Sequence, residues 1–343
     1  MGCSLSNGEK HDGRAPDYDD YTSKGMNDLD DISEKRKAMI RQKANEMGYL
    51  PNMAARALKT KMTHNIGVLF IDDYHSGLTH PYFAPVLESL KTEVENLGYD
   101  ITFINKNVGG REMSYLEHCR YRNVDGVVIA NVDFTKEEVV ELVESDIPVV
   151  TIDHVFNNCP AVVSDNIKGV RELTEYVISM GHKKIAYIHG QQNSVTKVRL
   201  ASFYRTMEEH GLSVPDEYVP EAPYLEGEAS SEATKKLLAL KNPPTCILYP
   251  DDYTAIGGIA VIREAGLSIP SDISVAGYDG ISLIQQFQPK LTTYAQDMSG
   301  IGKAAAQAIV DQIERPKSAL VEMIVKAGVV MPGASVRCLN ENE

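Results

Sequence analysis

The first apolar run after residue 65 reads Ile66-Gly67-Val68-Leu69-Phe70-Ile71, which has the length and composition of a buried parallel strand. A helical stretch follows it at residues 84–97, and this order of apolar run and helix recurs toward the C-terminus. Further apolar runs lie at residues 101–104, 126–129, 148–152, 184–188, 246–249 and 273–276. Further helical stretches lie at residues 136–144, 167–180, 198–210, 231–240, 253–265 and 298–314. The alternation predicts an α/β fold with two doubly wound parallel-sheet units and ligand crevices at the carboxyl ends of the strands.

The charge of the chain is unevenly distributed. Its 343 residues include 34 Lys+Arg and 48 Asp+Glu, for a formal net charge of −14, which argues against a nucleic-acid binder if the chain is taken whole. Residues 1–31 carry −5, residues 32–62 carry +6, and the remaining 281 residues carry −15. A short basic block in an acidic protein indicates a segment that faces nucleic acid, although a helix with a solvated Lys/Arg face is the alternative.

Composition limits the class of protein. With 43% hydrophobic and 24% charged residues the chain has the composition of a globular protein, and its length predicts two or three domains. No apolar run reaches the ~18 residues of a membrane span and no signal-peptide core is present, so we expect a cytoplasmic location without a membrane partner. The five cysteines form no C-x-x-C pair, which argues against disulfides and zinc. We expect no cofactor.

The sequence also lacks the common enzyme signatures. There is no phosphate loop, no nucleophile elbow, no H-E-x-x-H and no dinucleotide fingerprint, so we expect no catalytic activity. The ends of the predicted strands carry instead carboxylates, aromatic rings and amides, namely Asp73, Tyr74, Asp153, His154, Asp251, Asp252, Tyr278, Asp279, Gln296 and Asp297. Carboxylates accept hydroxyl hydrogen bonds and aromatic faces pack on C–H groups, so this set suits a sugar or another polyol. For any single aspartate, turn or cap formation is the alternative.

The basic block has helical features. Ser33 is a suitable N-cap for a helix over residues 34–47, Ala38, Met39, Ile40, Ala44 and Met47 can form a buried stripe, and Gly48 is a suitable stop. An Ala-rich segment at residues 53–59 predicts a short second helix.

Several distinctive motifs occur along the chain. They are Ile32-Ser33-Glu34-Lys35-Arg36, Gly48-Tyr49-Leu50-Pro51-Asn52-Met53-Ala54-Ala55-Arg56-Ala57-Leu58, His80-Pro81-Tyr82-Phe83, Gly181-His182-Lys183-Lys184-Ile185-Ala186, Arg199-Leu200-Ala201-Ser202-Phe203, and Ile269-Pro270-Ser271-Asp272-Ile273-Ser274-Val275-Ala276-Gly277-Tyr278-Asp279. Together they resemble the lactose/galactose-repressor family of transcription regulators, in family order and over roughly residues 21–330.

The resemblance implies a domain plan. A partial all-α DNA-binding head with a degenerate helix-turn-helix would occupy residues 1–62, including a hinge helix at 52–58. A periplasmic-binding-protein-like core would follow, with one subdomain at 63–163 plus 296–325 and the other at 164–295 plus 326–343. The protein would be a homodimer that binds operator DNA and a small-molecule effector, a sugar or nucleobase, in the cleft between the subdomains.

The resemblance also implies effector contacts. Asp279 and Arg199 match the main polar contacts of the family, Asp153 and Gln296 match secondary ones, and Asp251-Asp252 stands where the family often has Asn-Asp. The remaining candidates are aromatic: Tyr82 or Phe83 would wall the pocket, Tyr224 lies near a stacking position, and Tyr74 follows the first strand.

For DNA, the resemblance assigns roles to the hinge segment. Leu58 would be the apolar wedge in the minor groove, Ala55 a close-packed contact, and Arg56 and Lys59 phosphate contacts, with Asn52 at the start of the segment. A plain linker helix is the alternative. Ser23 and Lys24 belong to a remnant at residues 21–28 that reads like the end of the family's recognition helix.

Upstream of this remnant the resemblance fails. Residues 7–20 offer no apolar first helix, and Asp19 and Asp20 stand where a recognition helix would meet the phosphate-lined groove. Two explanations compete: a lost helix-turn-helix, or a start or reading frame shifted upstream of about residue 21, which we favour. We expect this chain to bind operator DNA weakly or not at all while it binds effector. A cytoplasmic sugar-binding protein without DNA-binding activity is the alternative function.

Overall fold

The structure is a computed structural model, and it describes residues 34–46, 48, 62–72 and 76–340. The chain divides after Thr63 into two units. Among the predicted functional residues, Tyr74 and all seven DNA-facing positions lie outside the described residues: Ser23, Lys24, Asn52, Ala55, Arg56, Leu58 and Lys59. The roles expected for these residues stay predictions.

The first unit contains helix α1, Glu34–Glu46, and Gly48 follows it with φ +63°, as a helix stop requires. The predicted buried stripe is only partly present. Ala44 is buried, but Ala38 is exposed and Met39 is 65% exposed. Residues 38, 39 and 40 are consecutive, so the helix distributes them around its axis rather than along one face.

The second unit begins with a six-stranded sheet in which every pair of neighbouring strands is parallel. Its strands, in spatial order, are β12 (Met323–Lys326), β7 (Ala161–Ser164), β6 (Val149–Ile152), β5 (Gly126–Ala130), β1 (Asn65–Phe70) and β2 (Asp100–Phe103). The helices between these strands are α2 (Phe83–Asn96), α3 (Tyr115–Arg122) and α4 (Glu137–Val143), and α9 (Met298–Glu314) also packs here, chiefly against α2. A small hairpin joins β3 (Asn107–Val108) to β4 (Arg111–Glu112).

The same unit contains a second, five-stranded sheet. Its strands, in spatial order, are β13 (Val329–Met331), β11 (Thr292–Ala295), β10 (Ser274–Asp279), β9 (Cys246–Leu248) and β8 (Ile185–Tyr187). Only β13 runs antiparallel to its neighbour in this sheet as described. Helix α5 (Asn166–Ser179) precedes the first of these strands, and α6 (Ser194–Glu209), α7 (Gly227–Leu238) and α8 (Asp252–Glu264) lie between them along the chain.

Each sheet has its own core. Leu69, Val127 and Ile129 belong to the buried cluster of the first sheet, and Phe203, Leu248 and Tyr278 to that of the second. The chain passes between the two sheets after β7, after β11 and between β12 and β13. Because the strands are parallel, their carboxyl ends and the helix N-termini that follow gather at one edge of each sheet.

The predicted alternation of strands and helices is confirmed, with additions. Strands β7, β11, β12 and β13, the hairpin and helix α3 were not predicted. No helix in the described ranges has the length and apolar composition needed to span a membrane.

Candidate functional site

A cavity of about 600 Å³ lies at the carboxyl ends of the strands. From the first sheet's side it is lined by Ile71, by the loop 131–135 after β5 and by Ile152, Asp153 and His154 at the end of β6. From the second sheet's side the lining includes Arg199, Tyr224, Asp251 and Asp279, and Gln296 contributes from a connection between the sheets. Tyr82 and Phe83 also line it. The structure therefore brings together eight of the ten predicted effector contacts; Asp252 does not line the cavity, and Tyr74 lies outside the described residues.

Arg199 is held on the buried face of α6 and is only 4% exposed. Its Nε donates to Asn166 Oδ1 at 2.7 Å, and its Nη1 donates to the carbonyl of Pro250 at 3.0 Å. A buried cation is costly unless its donors are satisfied, and these two acceptors supply part of that need. Nη2 donates to no acceptor among the described residues, so it is left for a ligand.

Asp279 ends strand β10 in the left-handed region, with φ +106°. The amide of Gln296 donates to Asp279 Oδ1 at 2.6 Å, whereas Asp279 Oδ2 accepts no hydrogen bond from the described residues. Gln296 Oε1 is buried and likewise finds no partner there. Burial raises the pKa of the Asp279 carboxyl well above its ordinary value; Arg199 opposes this shift, and Asp251 and Asp252 add to it. Arg199, Asp279 and Gln296 all line the cavity, which therefore brings one guanidinium, one carboxyl and one amide together.

The adjacent carboxylates Asp251 and Asp252 have different environments. Asp251 is the N-cap of α8: Oδ1 accepts from Thr254 N–H at 2.7 Å, and Oδ2 accepts from Leu225 N–H at 3.1 Å. It also lines the cavity. An asparagine at this position could keep the first hydrogen bond through its amide oxygen. It could not keep both, because its amide nitrogen donates hydrogen bonds and does not accept them.

Asp252 does not line the cavity and is fully buried. Its Oδ2 accepts from Gly280 N–H at 2.6 Å and from Ile281 N–H at 2.9 Å, and its Oδ1 accepts from Thr293 Oγ1 at 2.7 Å. The side chain therefore joins the start of α8 to the turn after β10. Asp252 thus has a structural role and is not a ligand contact of this cavity as described.

The first-sheet wall is built around the start of α2. Tyr82 donates its hydroxyl to Asp153 Oδ2 at 3.0 Å, and Asp153 Oδ1 accepts from Ser164 N–H at 3.1 Å. His80 Nδ1 accepts from the backbone N–H groups of Tyr82 and Phe83, each at 3.3 Å, and so caps this helix. Burial lowers the pKa of His80, which favours the neutral ring that this cap needs.

Tyr224 is fixed by three neighbours. Its hydroxyl lies 2.9 Å from Thr196 Oγ1, and its backbone N–H donates to Gln191 Oε1 at 3.0 Å. A Cβ atom on Gly190 would lie 2.2 Å from the Tyr224 ring, so the ring rests directly on that glycine. The aromatic surface is therefore held in place before any ligand binds.

Sequence reasoning missed several lining residues. Asn131, Phe134, Asn166 and Gln191 follow strands or begin helices, but no motif identified them as contacts. The only signal for His154 was its place at a strand end beside Asp153. Within the described ranges no group of three or more His, Cys, Asp or Glu side chains could hold a metal ion. The donors and acceptors of the cavity suit a neutral hydroxylated ligand.

Comparison with protein families supports this description. Residues 174–336 match the family model described as "Periplasmic binding protein-like domain". Among curated proteins, the "HTH-type transcriptional repressor PurR" of Pectobacterium atrosepticum is 30% identical over 288 residues, covering 82% of this chain and 83% of that protein. The PurR of Pasteurella multocida is 29% identical over 299 residues, with 85% and 88% covered.

Solved structures show the same fold. The Lac repressor dimer bound to operator and the anti-inducer ONPF aligns with a TM-score of 0.74 at 20% identity and covers 93% of this chain and 95% of its own. The complex of the transcriptional regulator CelR with cellobiose aligns with a TM-score of 0.68 at 21% identity, with 91% and 94% covered. A LacI family transcriptional regulator from Enterococcus faecium with bound ribose aligns with a TM-score of 0.69 at 24% identity, with 80% of this chain and 100% of that chain covered. The predicted periplasmic-binding-protein-like core is thereby confirmed.

Proposed function

Because the chain belongs to the lactose/galactose-repressor (LacI/GalR) family of transcription regulators, we propose that it is a repressor controlled by a sugar that binds in the cavity between its two sheets. One observation carries the choice of a sugar. Arg199 Nη2, Asp279 Oδ2 and Gln296 Oε1 are polar atoms of cavity-lining residues that the described residues leave unpartnered. A guanidinium donor and a carboxyl acceptor in one cavity lining complement neighbouring hydroxyl groups, each of which donates and accepts.

Other residues that line the cavity provide the remaining contacts. Asp279, Arg199 and Gln296 hold hydroxyl groups, with Asp153 and Asp251 as further acceptors. The C–H face of the sugar packs on aromatic rings, which Tyr82, Phe83 and Tyr224 provide at three positions of the lining. All eight residues belong to the proposed site.

The proposed control element is closure of two subdomains, residues 63–163 plus 296–325 and residues 164–295 plus 326–343. Three chain connections join the sheets, so relative rotation would be absorbed at a few residues. A sugar that contacts both sides favours one arrangement and so changes affinity at a distant DNA site. We propose that the chain acts as a homodimer on operator DNA, as the family resemblance implies.

For this chain we propose impaired operator binding. The argument is electrostatic: by the family resemblance, Asp19 and Asp20 stand in the sequence where a recognition helix would face phosphates. The same observation favours the alternative function, a sugar-binding protein that does not bind DNA. Gel-shift assays of the full chain against its own upstream region test this. Weak binding supports an impaired repressor, no detectable binding supports the alternative function, and nanomolar binding at physiological salt would contradict impaired binding.

The sugar is tested by thermal-shift screening of the full chain against monosaccharides, disaccharides and nucleobases. A ligand that binds only the folded form raises the melting temperature. We expect one or more sugars, and no nucleobase, to raise it in a concentration-dependent way. A response to nucleobases alone would overturn the choice of a sugar.

A further inference from the structure

A second ring-binding position lies on the first-sheet side of the cavity. Phe134 follows β5 and His154 follows β6, and because these strands are neighbours their following loops meet. The two rings are stacked, with centroids 4.2 Å apart and an interplanar angle of 5°. Phe156 packs against His154 at 4.8 Å between centroids. Phe134 and His154 both line the cavity.

The backbone that presents these rings is strained. Asn131 directly follows β5 with φ +51°, and Asp153 directly follows β6 with φ +59°. Residues other than glycine held in the left-handed region are uncommon, and they persist where surrounding contacts fix them, often at ligand sites. The Asp153 carboxylate supplies such contacts through Ser164 and Tyr82. Two adjacent strand ends are thus turned to bring one stacked pair to the cavity wall.

The chemistry of this pair differs from that of the Arg199–Asp279 side. The ring nitrogens of His154 make no hydrogen bond with the described residues. Burial lowers the pKa of His154, so near neutral pH its ring is uncharged and offers one donor and one acceptor. The Phe134 ring adds an apolar face for C–H groups. A ligand ring that carries hydroxyl groups can hydrogen-bond to His154 and pack its C–H groups on Phe134.

We propose that the effector is a two-ring saccharide, with one ring held by Arg199, Asp279 and Gln296 and the second ring on Phe134 and His154. This inference rests on the proposed function, a sugar effector. The cavity of about 600 Å³ is roughly twice the ~300 Å³ at the lower end of small-ligand sites, so it has room for a second ring.

Packing is the competing explanation for the aromatic rings. Phe134 and Phe156 also contact the buried core of the first sheet, and this contact alone could keep them in place. The affinity of a variant that lacks one of these rings therefore has to be measured for two ligands, a one-ring and a two-ring sugar. Loss of packing weakens the binding of one-ring and two-ring sugars together, whereas loss of a second-ring contact weakens only the two-ring sugar.

The test is calorimetric titration of the full chain with matched sugars. The sets are D-glucose with maltose and cellobiose, D-galactose with lactose and melibiose, D-mannose with mannobiose, D-xylose with xylobiose, and D-fructose with sucrose. The variants are His154→Ala and Phe134→Leu, the latter retaining an apolar side chain for the core. Val155→Ala is the control, because Val155 is 51% exposed and does not line the cavity.

We expect a disaccharide to bind at least about tenfold more tightly than its single ring. His154→Ala and Phe134→Leu should weaken the disaccharide about tenfold, or about 1.4 kcal/mol, and the monosaccharide less than about threefold. Val155→Ala should change neither affinity. A disaccharide that binds no more tightly than its single ring, or variants that weaken both alike, overturns the second-ring position and leaves the sugar effector intact. Absence of binding by every sugar contradicts the proposed function itself.

Discussion

The guanidinium carbon of Arg199 lies 3.9 Å from the centroid of the Tyr278 ring. With hydrogen bonds to Asn166 and Pro250, this contact holds the cation without a direct carboxylate ion pair among the described residues. A cation over an aromatic face is stabilised most when both are desolvated, as here. The Arg199 guanidinium is therefore held in position by the protein before a ligand binds.

Replacement of Arg199 should cost stability as well as binding. Arg199→Ala leaves Asn166 Oδ1 and the Pro250 carbonyl without their donor, and unpaired buried acceptors cost on the order of 1–3 kcal/mol each. We expect the free energy of unfolding in urea to fall by about 3 kcal/mol and sugar binding to be lost. Arg205→Ala, on the exposed side of the same helix, is the control and should stay near wild type. Equal stability of the two variants would contradict this account.

Replacement of Asp279 should raise the stability of the protein, whereas replacement of Arg199 should lower it. The pKa of Asp279 is raised in the folded protein, so over the pH range between its unfolded and folded pKa values the folded state binds more protons than the unfolded state. Stability from this group is then present at low pH and is lost as pH rises. Asp279→Asn removes the cost of the buried charge and keeps an acceptor for Gln296. We expect it to raise the melting temperature of the ligand-free protein, on the order of 1 kcal/mol in stability.

The pH dependence distinguishes this cause from a general surface effect. Melting temperatures measured between pH 5 and pH 8.5 should show a gain for Asp279→Asn that grows with pH. Asp146→Asn, at an exposed carboxylate, is the control and should show little gain at any pH. A gain for Asp279→Asn that is constant with pH, or a loss, is incompatible with a buried carboxylate whose charge is costly.

The position of Tyr224 should depend on Gly190. A Cβ at position 190 would lie 2.2 Å from the Tyr224 ring, so Gly190→Ala must displace that ring. We expect sugar affinity to fall about tenfold or more with a smaller change in stability, because a misplaced stacking surface loses its contact. The matched control is Gly227→Ala, where a Cβ meets nothing within 4 Å. Calorimetry on both variants checks this, and a Gly190→Ala variant with wild-type affinity would show that Tyr224 does not contact the ligand.

The sequence predicted most of the central strands, because a strand covered on both faces is a continuous apolar run. It did not predict β12 and β13, which lie at sheet edges and have exposed residues such as Met323 and Val329. Helix α3 was also missed because its apolar residues do not form a clear stripe. Its capping box, Ser114 with Glu117, was the available signal.

The site was predictable in composition and less so in geometry. Strand-end position together with family resemblance identified Asp279 and Arg199, whose side chains line one cavity. The sequence alone could not show which of Asp251 and Asp252 lines the cavity. The two residues are adjacent at the start of a helix, where neighbouring side chains point in different directions. The stack of Phe134 on His154 depends on two loops after neighbouring strands, and such a contact is visible only once the strand order is known.

The most direct measurement is calorimetric titration of wild type and Asp279→Ala with the sugar that raises the melting temperature most. The account predicts saturable binding by wild type and a loss of about 100-fold or more in the variant, since removal of the carboxyl loses its hydrogen bonds to the ligand and leaves the Gln296 amide without its partner, at about 1–3 kcal/mol for each buried group left unpaired. The variant should still unfold in one cooperative transition. Unchanged affinity in a folded Asp279→Ala variant would contradict the assignment of the cavity as the effector site.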